Sequence, residues 1–372
     1  MNIVKVTIII VLFCAAIIIL MMIKDQTHAD KLLHDVIFIE TVKDWEKCEL
    51  ENCFVDSDSD AVVFNAETES RVTTFPATPG FEFDQLILSW NIRYQENPGR
   101  FKFNIEVSED SLSWYGFNYL SWGDSSYEYS AGEKSIEGIG TVNVDVLKLQ
   151  KSMKYARVIV GYSGKDKSEK VFLRRLALSF SNDSPTWYEY RRYHSGDTEI
   201  DYGMVKLSVP YITQRSLDAN REGGACSPTS VVMVLNYHIP GIDPDIFAWT
   251  AYDYENKIFG NWPYNVQAAF AAGLGKTWVA RHCGFDEIHD EVSNGKPVVI
   301  SIGYDYDELP NSPIHSAENG HLVVVIGFDG PDSIICNDPA GHGVDDGIIK
   351  YPRKELEKAW IGHTGVAYHL WP

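Results

Sequence analysis

The chain has 372 residues, of which 45% are hydrophobic and 23% are charged, and its formal net charge is −20. A chain of this length can hold two domains with substantial cores, and its composition argues against intrinsic disorder. The negative charge argues against nucleic acid and anionic membrane surfaces as partners, because like charges repel.

Residues 1–29 are predicted to be a targeting segment. Lys5 precedes an apolar run from Val6 to Ile23 that only Thr7 interrupts. Such a run is longer than the usual core of a signal peptide and about the minimum for a membrane span. The segment is therefore either a cleaved signal peptide, cut after Ala29, or an N-terminal membrane anchor. Both alternatives place the rest of the chain outside the cytoplasm, as a secreted or extracytoplasmic protein.

Residues 36–182 are predicted to form an all-β domain, because apolar and polar residues alternate in several short runs that turn residues separate. This pattern favours a β-sandwich or jelly roll. The predicted strands cover residues 36–39, 61–64, 85–90, 101–107, 141–146, 156–160 and 171–180. The aromatic residues of this part either fill its core, which is the favoured interpretation, or form a platform that binds a glycan or a protein. They are Trp90, Trp114, Tyr115, Tyr119 and Trp122.

A polar linker at residues 183–203 is predicted to lead into a second domain, residues 204–372, that mixes helices with strands. The predicted helices begin at Cys226 and end before Pro240, and cover residues 266–272, 285–293 and 353–360. The predicted strands cover residues 297–302, 321–328 and 333–337. The fold class expected for the whole chain is α+β.

Cys226 is a candidate nucleophile, because it stands at the start of a predicted buried helix. Pro228 follows it, and proline is favoured in the first turn of a helix. The unpaired N–H groups and the positive dipole end of that turn stabilise a thiolate, which is the nucleophile in acyl transfer. The alternative is an inert buried cysteine.

His321 and Asp338 are a candidate base and its orienting carboxylate. His321 opens a predicted strand, and Asp329-Gly-Pro-Asp332 is a strong turn signal before the chain returns. A turn centred between Gly330 and Pro331 places His321 opposite Ala340, so that Asp338 lies close by. A carboxylate there would orient the imidazole and stabilise its charged form. Asn337 is a second candidate for the orienting residue.

Gln214, twelve residues before Cys226, could place its side-chain amide beside the backbone N–H of Cys226 in an oxyanion hole. Taken alone, such a glutamine is most often only an exposed residue. It gains weight from the order in which Gln214, Cys226, His321 and Asp338 follow one another.

Residues 204–372 resemble the papain-like cysteine peptidases that remove double-glycine leader peptides from bacteriocins, and are most similar to their stand-alone, exported branch. Many of these relatives have glycine after the nucleophile, where this chain has Ser227. The matching segments are Val209-Pro-Tyr-Ile-Thr-Gln214, Cys226-Ser-Pro-Thr-Ser230, Gly260-Asn-Trp-Pro263, Gly295-Lys-Pro-Val-Val-Ile-Ser301, Gly320-His-Leu-Val-Val-Val-Ile-Gly-Phe328 and Asn337-Asp-Pro-Ala340.

The resemblance implies a papain-like fold, in which the helix that carries Cys226 packs on an antiparallel sheet. It also implies Cys226 as nucleophile, His321 as base, Asp338 as orienting residue and Gln214 as oxyanion donor. The expected activity is peptide-bond hydrolysis through a thioester, on a peptide or protein substrate that is either free or associated with the cell wall. Two alternatives remain: a cell-wall peptide amidase or acyltransferase with the same triad, and a surface protein that binds glycan or protein and has an inactive peptidase-like domain.

No cofactor and no metal are expected. The remaining histidines of the second half of the chain and its other cysteines show no zinc-binding spacing. These residues are His282, His315, His342, His363, His369, Cys283 and Cys336. Cys283 and Cys336 are either buried thiols or a disulfide, and Cys48 and Cys53 are close enough in sequence to close a small disulfide loop.

Overall fold

The computed structural model describes residues 34–64, 69–124, 134–164, 170–182, 201–219 and 223–372. These residues form a mixed α/β structure in which the sheets are antiparallel. The predicted targeting segment and residues 183–200 of the predicted linker lie outside the described residues. Within the described ranges, no helix is long and apolar enough to cross a bilayer.

Residues 34–182, here called the two-sheet region, carry two sheets and the short helix α1 (Val42–Trp45). One sheet contains β1 (His34–Ile39), β3 (Cys53–Asp56), β4 (Ala61–Phe64), β6 (Phe83–Arg93), β9 (Ser135–Ile136), β10 (Gly140–Asn143), β11 (Val146–Met153) and β13 (Val171–Ser181). The other contains β2 (Glu49–Glu51), β5 (Ser70–Thr73), β7 (Arg100–Ser108), β8 (Tyr115–Gly123) and β12 (Tyr155–Ser163).

The two sheets share one hydrophobic core, which is built from the apolar side of each strand. Trp90 of β6 stacks on Phe103 of β7, with ring centroids 3.9 Å apart. Trp90, Tyr119 and Trp122 are all buried, so these three aromatic residues pack in the core and do not form a ligand platform. Trp114 remains at the edge, where the guanidinium of Arg157 lies 4.4 Å from its ring centroid.

Residues 201–372, here called the C-terminal region, carry the third sheet, with strand order β15-β20-β16-β17-β18-β19 and β14 paired to β17. Its strands are β14 (Met204–Lys206), β15 (Lys276–Arg281), β16 (Val298–Tyr304), β17 (Glu318–Asp329), β18 (Ser333–Asn337), β19 (Ile348–Pro352) and β20 (Val366–Trp371). Its helices are α2 (Cys226–His238), α3 (Pro244–Thr250), α4 (Trp262–Ala271), α5 (Asp286–Ser293), α6 (Val344–Gly347) and α7 (Arg353–Ile361).

Strand β6 contributes to two cores, because successive side chains of a strand point to opposite faces of its sheet. One set of alternate residues lies in the core between the two sheets: Leu86, Leu88, Trp90 and Ile92. On the other face, Ile87 belongs to the core of the C-terminal region. The remaining residues of this face, Gln85, Ser89 and Asn91, are polar and buried. The polar face that would meet water in an isolated sandwich is therefore covered by the C-terminal region.

Buried hydrogen bonds hold the two regions together. The amide of Asn91 donates to the Thr277 carbonyl at 2.9 Å and to its Oγ1 at 2.8 Å. Gln267 of α4 accepts from the N–H of Ile92 and donates to its carbonyl, both at 2.8 Å. Further bonds join Arg281 to Gln85, Val279 to Ser89, and the Trp262 N–H to Asp145.

The strand predicted at residues 141–146 is in fact a hairpin. Asn143 pairs with Val146, and the chain reverses at Val144 and Asp145. Val144 has a φ of 53°, a conformation that β-branched residues rarely adopt, so its residue type gives no turn signal. The buried side chain of Asp145, at this reversal, accepts a hydrogen bond from the Trp262 N–H at the start of α4, at 2.7 Å.

The described cysteines are not in disulfide bonds, so the predicted loop between Cys48 and Cys53 is wrong, and Cys283 and Cys336 are the buried thiols of the first alternative. Cys48 Sγ lies 3.4 Å from the Asp44 carbonyl, whereas Cys53 Sγ lies 3.3 Å from the Arg71 carbonyl. The two thiols are therefore directed to different parts of the backbone. Burial raises the pKa of both to about 11.

Candidate active site

Helix α2 presents Cys226 as its first residue. The N-cap is Ala225, whose side chain makes no capping hydrogen bond, so it leaves the first-turn N–H groups available to a negative charge. The buried Ser230 hydroxyl donates to the carbonyl of Leu322 at 2.9 Å. This bond fixes the first turns of α2 against β17, one residue beyond His321.

The hairpin of β17 and β18 brings His321 and Asp338 together. Near the turn the pairing is shifted by one residue from the predicted register, so that Phe328 lies opposite Ile334 and not opposite Ser333. A bulge between Val325 and Gly327 then restores the predicted register, so that Val324 pairs with Asn337. Gly320 precedes His321 at a φ of 123°, which L side chains rarely adopt, and lies where β17 shifts register against β16.

His321 and Asp338 form a buried ion pair. Nε2 of His321 lies 2.7 Å from Oδ1 of Asp338, and the side chains are 2% and 0% exposed. Burial alone lowers the pKa of His321, but the charge and hydrogen bond of Asp338 and the contact with Cys226 outweigh it and raise this pKa well above 6.5. Burial alone raises the pKa of Asp338, but the imidazolium and further hydrogen bonds hold it below its usual range.

Cys226 lies beside the same imidazole and helps to raise the pKa of His321, and its Sγ is 4.0 Å from the carbonyl oxygen of Gly224. Since Nε2 is bonded to Asp338, the ring nitrogen left for the thiol is Nδ1. Cys226 is 7% exposed, which places the thiol at the edge of the core and not deep inside it. The structure thus brings three of the four predicted residues together: thiol, imidazole and carboxylate.

Tyr351 is a member of this site that the sequence did not reveal. Its hydroxyl donates to Oδ2 of Asp338 at 2.6 Å, and the backbone N–H of Ala340 donates to Oδ1 at 2.8 Å. Asp338 therefore accepts three hydrogen bonds and has no freedom to turn away from His321. Tyr351 lies on β19, which pairs with β18. A tyrosine in a short strand after Asp338 carries no motif by which it could have been recognised.

Asn337 is not an orienting residue for His321. Its side-chain amide donates to the carbonyl of Val209 at 3.2 Å. The alternation of β18 directs neighbouring side chains to opposite faces, so Asn337 ties the strand to the segment before Gln214 while Asp338 faces the imidazole.

Gln214 is held beside the Asp338 loop by its backbone. Its N–H donates to the carbonyl of Pro339 at 2.9 Å, and the neighbouring Thr213 hydroxyl donates to the carbonyl of Gly341 at 2.5 Å. The side-chain Oε1 of Gln214 is buried and has no hydrogen-bond partner among the described residues. The described contacts join Gln214 to the loop after Asp338 and not to the thiol of Cys226.

Ser227, which stands where many relatives have glycine, is completely buried. Its hydroxyl lies 2.9 Å from the hydroxyl of Tyr368 on β20. The serine therefore points away from solvent into the sheet. It anchors the first turn of α2 to β20.

Residues 206–368 match the model of the Peptidase_C39 like family. No curated protein matches the chain significantly. A candidate C39-like peptidase from Bacillus anthracis is a similar solved structure, at 24% identity, with 45% of this chain and 98% of that chain covered and a TM-score of 0.36.

Other similar solved structures include a carbohydrate binding module of family 29, at 10% identity. The match covers 40% of this chain and 90% of the chain of the module, with a TM-score of 0.23. A family two carbohydrate esterase from Cellvibrio japonicus, at 9% identity, covers 40% and 34% of the two chains with a TM-score of 0.22. These TM-scores are too low to establish a shared fold. The family match over residues 206–368 supports a C39 papain-like peptidase family for this part of the chain and suggests cysteine peptidase activity.

Proposed function

We propose that this protein is an exported cysteine peptidase that hydrolyses peptide bonds through Cys226, His321 and Asp338. The observation that carries the proposal is the position of the His321 imidazole, which bonds Asp338 through Nε2 and contacts the thiol of Cys226. A thiol, a base and a carboxylate in this order form the arrangement that activates a nucleophile for acyl transfer.

The first step of the proposed reaction is attack by the thiolate. In the resting imidazolium–thiolate pair, Nδ1 of His321 already holds the proton of Cys226, and Asp338 stabilises this imidazolium. The sulfur then bonds to the carbonyl carbon of the substrate, and the electron pair of the C=O bond moves to the oxygen. The backbone N–H of Cys226, at the uncapped start of α2, is a donor for this oxyanion.

The second part of the reaction releases both products. His321 donates its proton to the leaving amine as the peptide C–N bond breaks, which leaves a thioester on Cys226. Water then attacks the thioester carbonyl and gives a proton to His321, and the breaking C–S bond returns the thiolate. The carboxylic acid product leaves, and the imidazolium–thiolate pair is restored.

Gln214 is proposed as the second oxyanion donor. Three neighbouring side chains fix its segment to the loop that carries Asp338: Tyr211 donates to the Asp338 carbonyl, Thr213 to that of Gly341, and Arg215 to that of Ala340. This anchoring holds the backbone of Gln214 beside the loop that carries Asp338.

The export of the protein and its substrate class are parts of the same proposal. The apolar run from Val6 to Ile23 supports a signal peptide or an anchor, and thus a site of action at or beyond the cell surface. A peptide or a flexible protein segment is the proposed substrate, because an extended backbone can reach a thiol that is only 7% exposed.

The test combines thiol labelling with product analysis. A limiting alkylating reagent, applied to the full chain from pH 4 to pH 9 with mass-spectrometric site assignment, is expected to modify Cys226 first and to lose this selectivity in His321→Ala. Cleavage of a peptide library is expected from the parent and from Cys48→Ser, but not from Cys226→Ala. A library left intact, together with equal labelling of Cys226 and Cys48, would refute the proposed activity.

A further inference from the structure

A second cluster of reactive side chains lies where the two regions meet. The Nε2 of His34, the Sγ of Cys283 and the carboxylate of Glu287 lie within 4.8 Å of one another. His34 opens β1 of the two-sheet region, Cys283 follows β15, and Glu287 is in the first turn of α5. The shortest distance between His34 Nε2 and Glu287 is 3.1 Å, to Oε2.

Two histidines in series hold Glu287 in place. His282 Nδ1 lies 2.8 Å from Glu287 Oε2, and His282 Nε2 lies 2.9 Å from His369 Nε2. His369 Nδ1 in turn lies 2.7 Å from the carboxylate of Glu291. Glu287 is therefore an oriented carboxylate.

The three donor atoms are those that zinc prefers. A thiolate, an imidazole and a carboxylate bind Zn²⁺ at about 2.0–2.3 Å, which sets neighbouring donors of a tetrahedral site about 3.3–3.6 Å apart. The separation of His34 Nε2 and Glu287 Oε2 is close to this value. A histidine that bonds to a ligating carboxylate, as His282 bonds to Glu287, is the kind of outer partner that metal sites use.

We propose that His34, Cys283 and Glu287 bind a zinc ion that fastens the first strand of the two-sheet region to the C-terminal region. Water completes the fourth position, because the side chains of His34 and Glu287 are 23% and 27% exposed. Binding converts the Cys283 thiol to a zinc-bound thiolate and releases its proton to solvent. The sequence shows no zinc motif because His34 and Glu287 are 253 residues apart.

The test uses the full chain, purified in mild detergent and carrying Cys226→Ala, so that the thiol beside His321 cannot bind metal. After the protein is stripped with a chelator, zinc content and calorimetric titration are expected to give one equivalent per chain. Cobalt, used as a spectroscopic substitute, is expected to produce a thiolate-to-metal charge-transfer band. The further substitution Cys283→Ser removes the band, and His282→Asn weakens zinc binding about 10–100-fold.

His289→Asn is the matched control, since His289 lies on the same helix α5 but contacts the Tyr202 carbonyl. It is expected to bind zinc and cobalt like its parent. If the folded Cys226→Ala chain gives no cobalt band, or if the band persists in Cys283→Ser, the proposal is overturned. Should Cys283→Ser fail to fold, His34→Asn at the partly exposed edge decides, because unchanged zinc affinity in that variant would also overturn it.

Discussion

The proposed catalytic cluster, Cys226, His321 and Asp338, and the interface between the two regions are both built from buried polar side chains, yet they arise in different ways. His321 and Asp338 are 17 residues apart and meet because one hairpin joins them. Asn91 and Thr277 are 186 residues apart, and Ile92 and Gln267 are 175 apart. The first arrangement follows from a local turn, whereas the second needs the complete packing of two regions.

This difference separates two uses of a buried polar group. In the catalytic cluster the hydrogen bonds stabilise charges that take part in the proposed chemistry. At the interface the hydrogen bonds replace the water that β6 gives up when its second face is covered. Substitutions in the cluster are therefore expected to change the reactivity of Cys226 most. Substitutions at the interface are expected to change the stability of the protein most.

The largest effect is expected from Asp338→Asn. The amide keeps the shape of the carboxylate but cannot stabilise the imidazolium, so His321 no longer holds Cys226 ready to react. The rate of Cys226 alkylation near neutral pH is expected to fall about 100-fold or more. Asp345→Asn, on the exposed helix α6, is the matched control. Equal rates in the two variants would show that Asp338 is only structural.

A large loss of stability is expected from Gln267→Ala, because it leaves the buried N–H and carbonyl of Ile92 without their partner. The free energy of unfolding is expected to fall by about 2–5 kcal/mol, measured by urea denaturation. Alkylation of Cys226 in the folded protein should keep its rate. Gln150→Ala, at an exposed position of β11, controls for side-chain removal. Slower alkylation of Cys226 in Gln267→Ala would show that the interface also controls the reactivity of the site.

An intermediate effect on both the stability of the protein and the reactivity of Cys226 is expected from Tyr351→Phe. Loss of its hydroxyl removes a hydrogen bond to a buried carboxylate and lowers the free energy of unfolding by about 1.5–3 kcal/mol. Because this bond lowers the pKa of Asp338, its loss is expected to move the acidic limb of the Cys226 alkylation profile to higher pH. Tyr304→Phe, which removes a bond between two neutral hydroxyls, is expected to leave that limb in place.

The smallest effect is expected from pH alone. The pKa of His321 is raised above 6.5, so its contribution to stability is complete below pH 6.5 and is lost as pH rises through the folded-state pKa. The pKa of Asp338 is lowered below 3.8, so its contribution is present above pH 3.8 and is lost as pH falls through the folded-state pKa.

Between pH 3.8 and pH 6.5 the ion pair therefore contributes most. The free energy of unfolding, measured at pH 5.5 and at pH 8.5, is expected to decline more in the parent protein than in the double variant His321→Gln/Asp338→Asn. A parallel decline in both proteins would show that other groups cause it.

The sequence predicts most of the catalytic cluster because each part has a local signal. Pro228 marks the start of a helix, and the turn at Gly330 sets a hairpin register that a bulge alters and then restores. Helix α4 begins at Trp262, four residues before its predicted start, because Asn261 accepts from the Tyr264 N–H. Tyr351 was missed because its role depends on strand pairing alone.

The interface could not be predicted for a different physical reason. The alternation of apolar and polar residues in β6 predicts a strand with one solvent-exposed face, and Ser89 and Asn91 fit that pattern. Only the tertiary structure shows that this polar face is buried. The strands that were not predicted from the sequence are β2, β3, β5, β8, β9, β14, β15, β19 and β20. In β15 and β20 nearly every residue is buried, so the alternation that identifies a half-buried strand is absent.

The position of strand β6 between two cores also affects the thermal unfolding of the protein. Leu88 lies in the core between the two sheets, and its neighbour Ile87 lies in the core of the C-terminal region. Heat that disorders this strand therefore removes part of both cores at once. Differential scanning calorimetry of the full chain is expected to show a single endotherm, with equal calorimetric and van't Hoff enthalpies, although the chain is long enough for two independent domains.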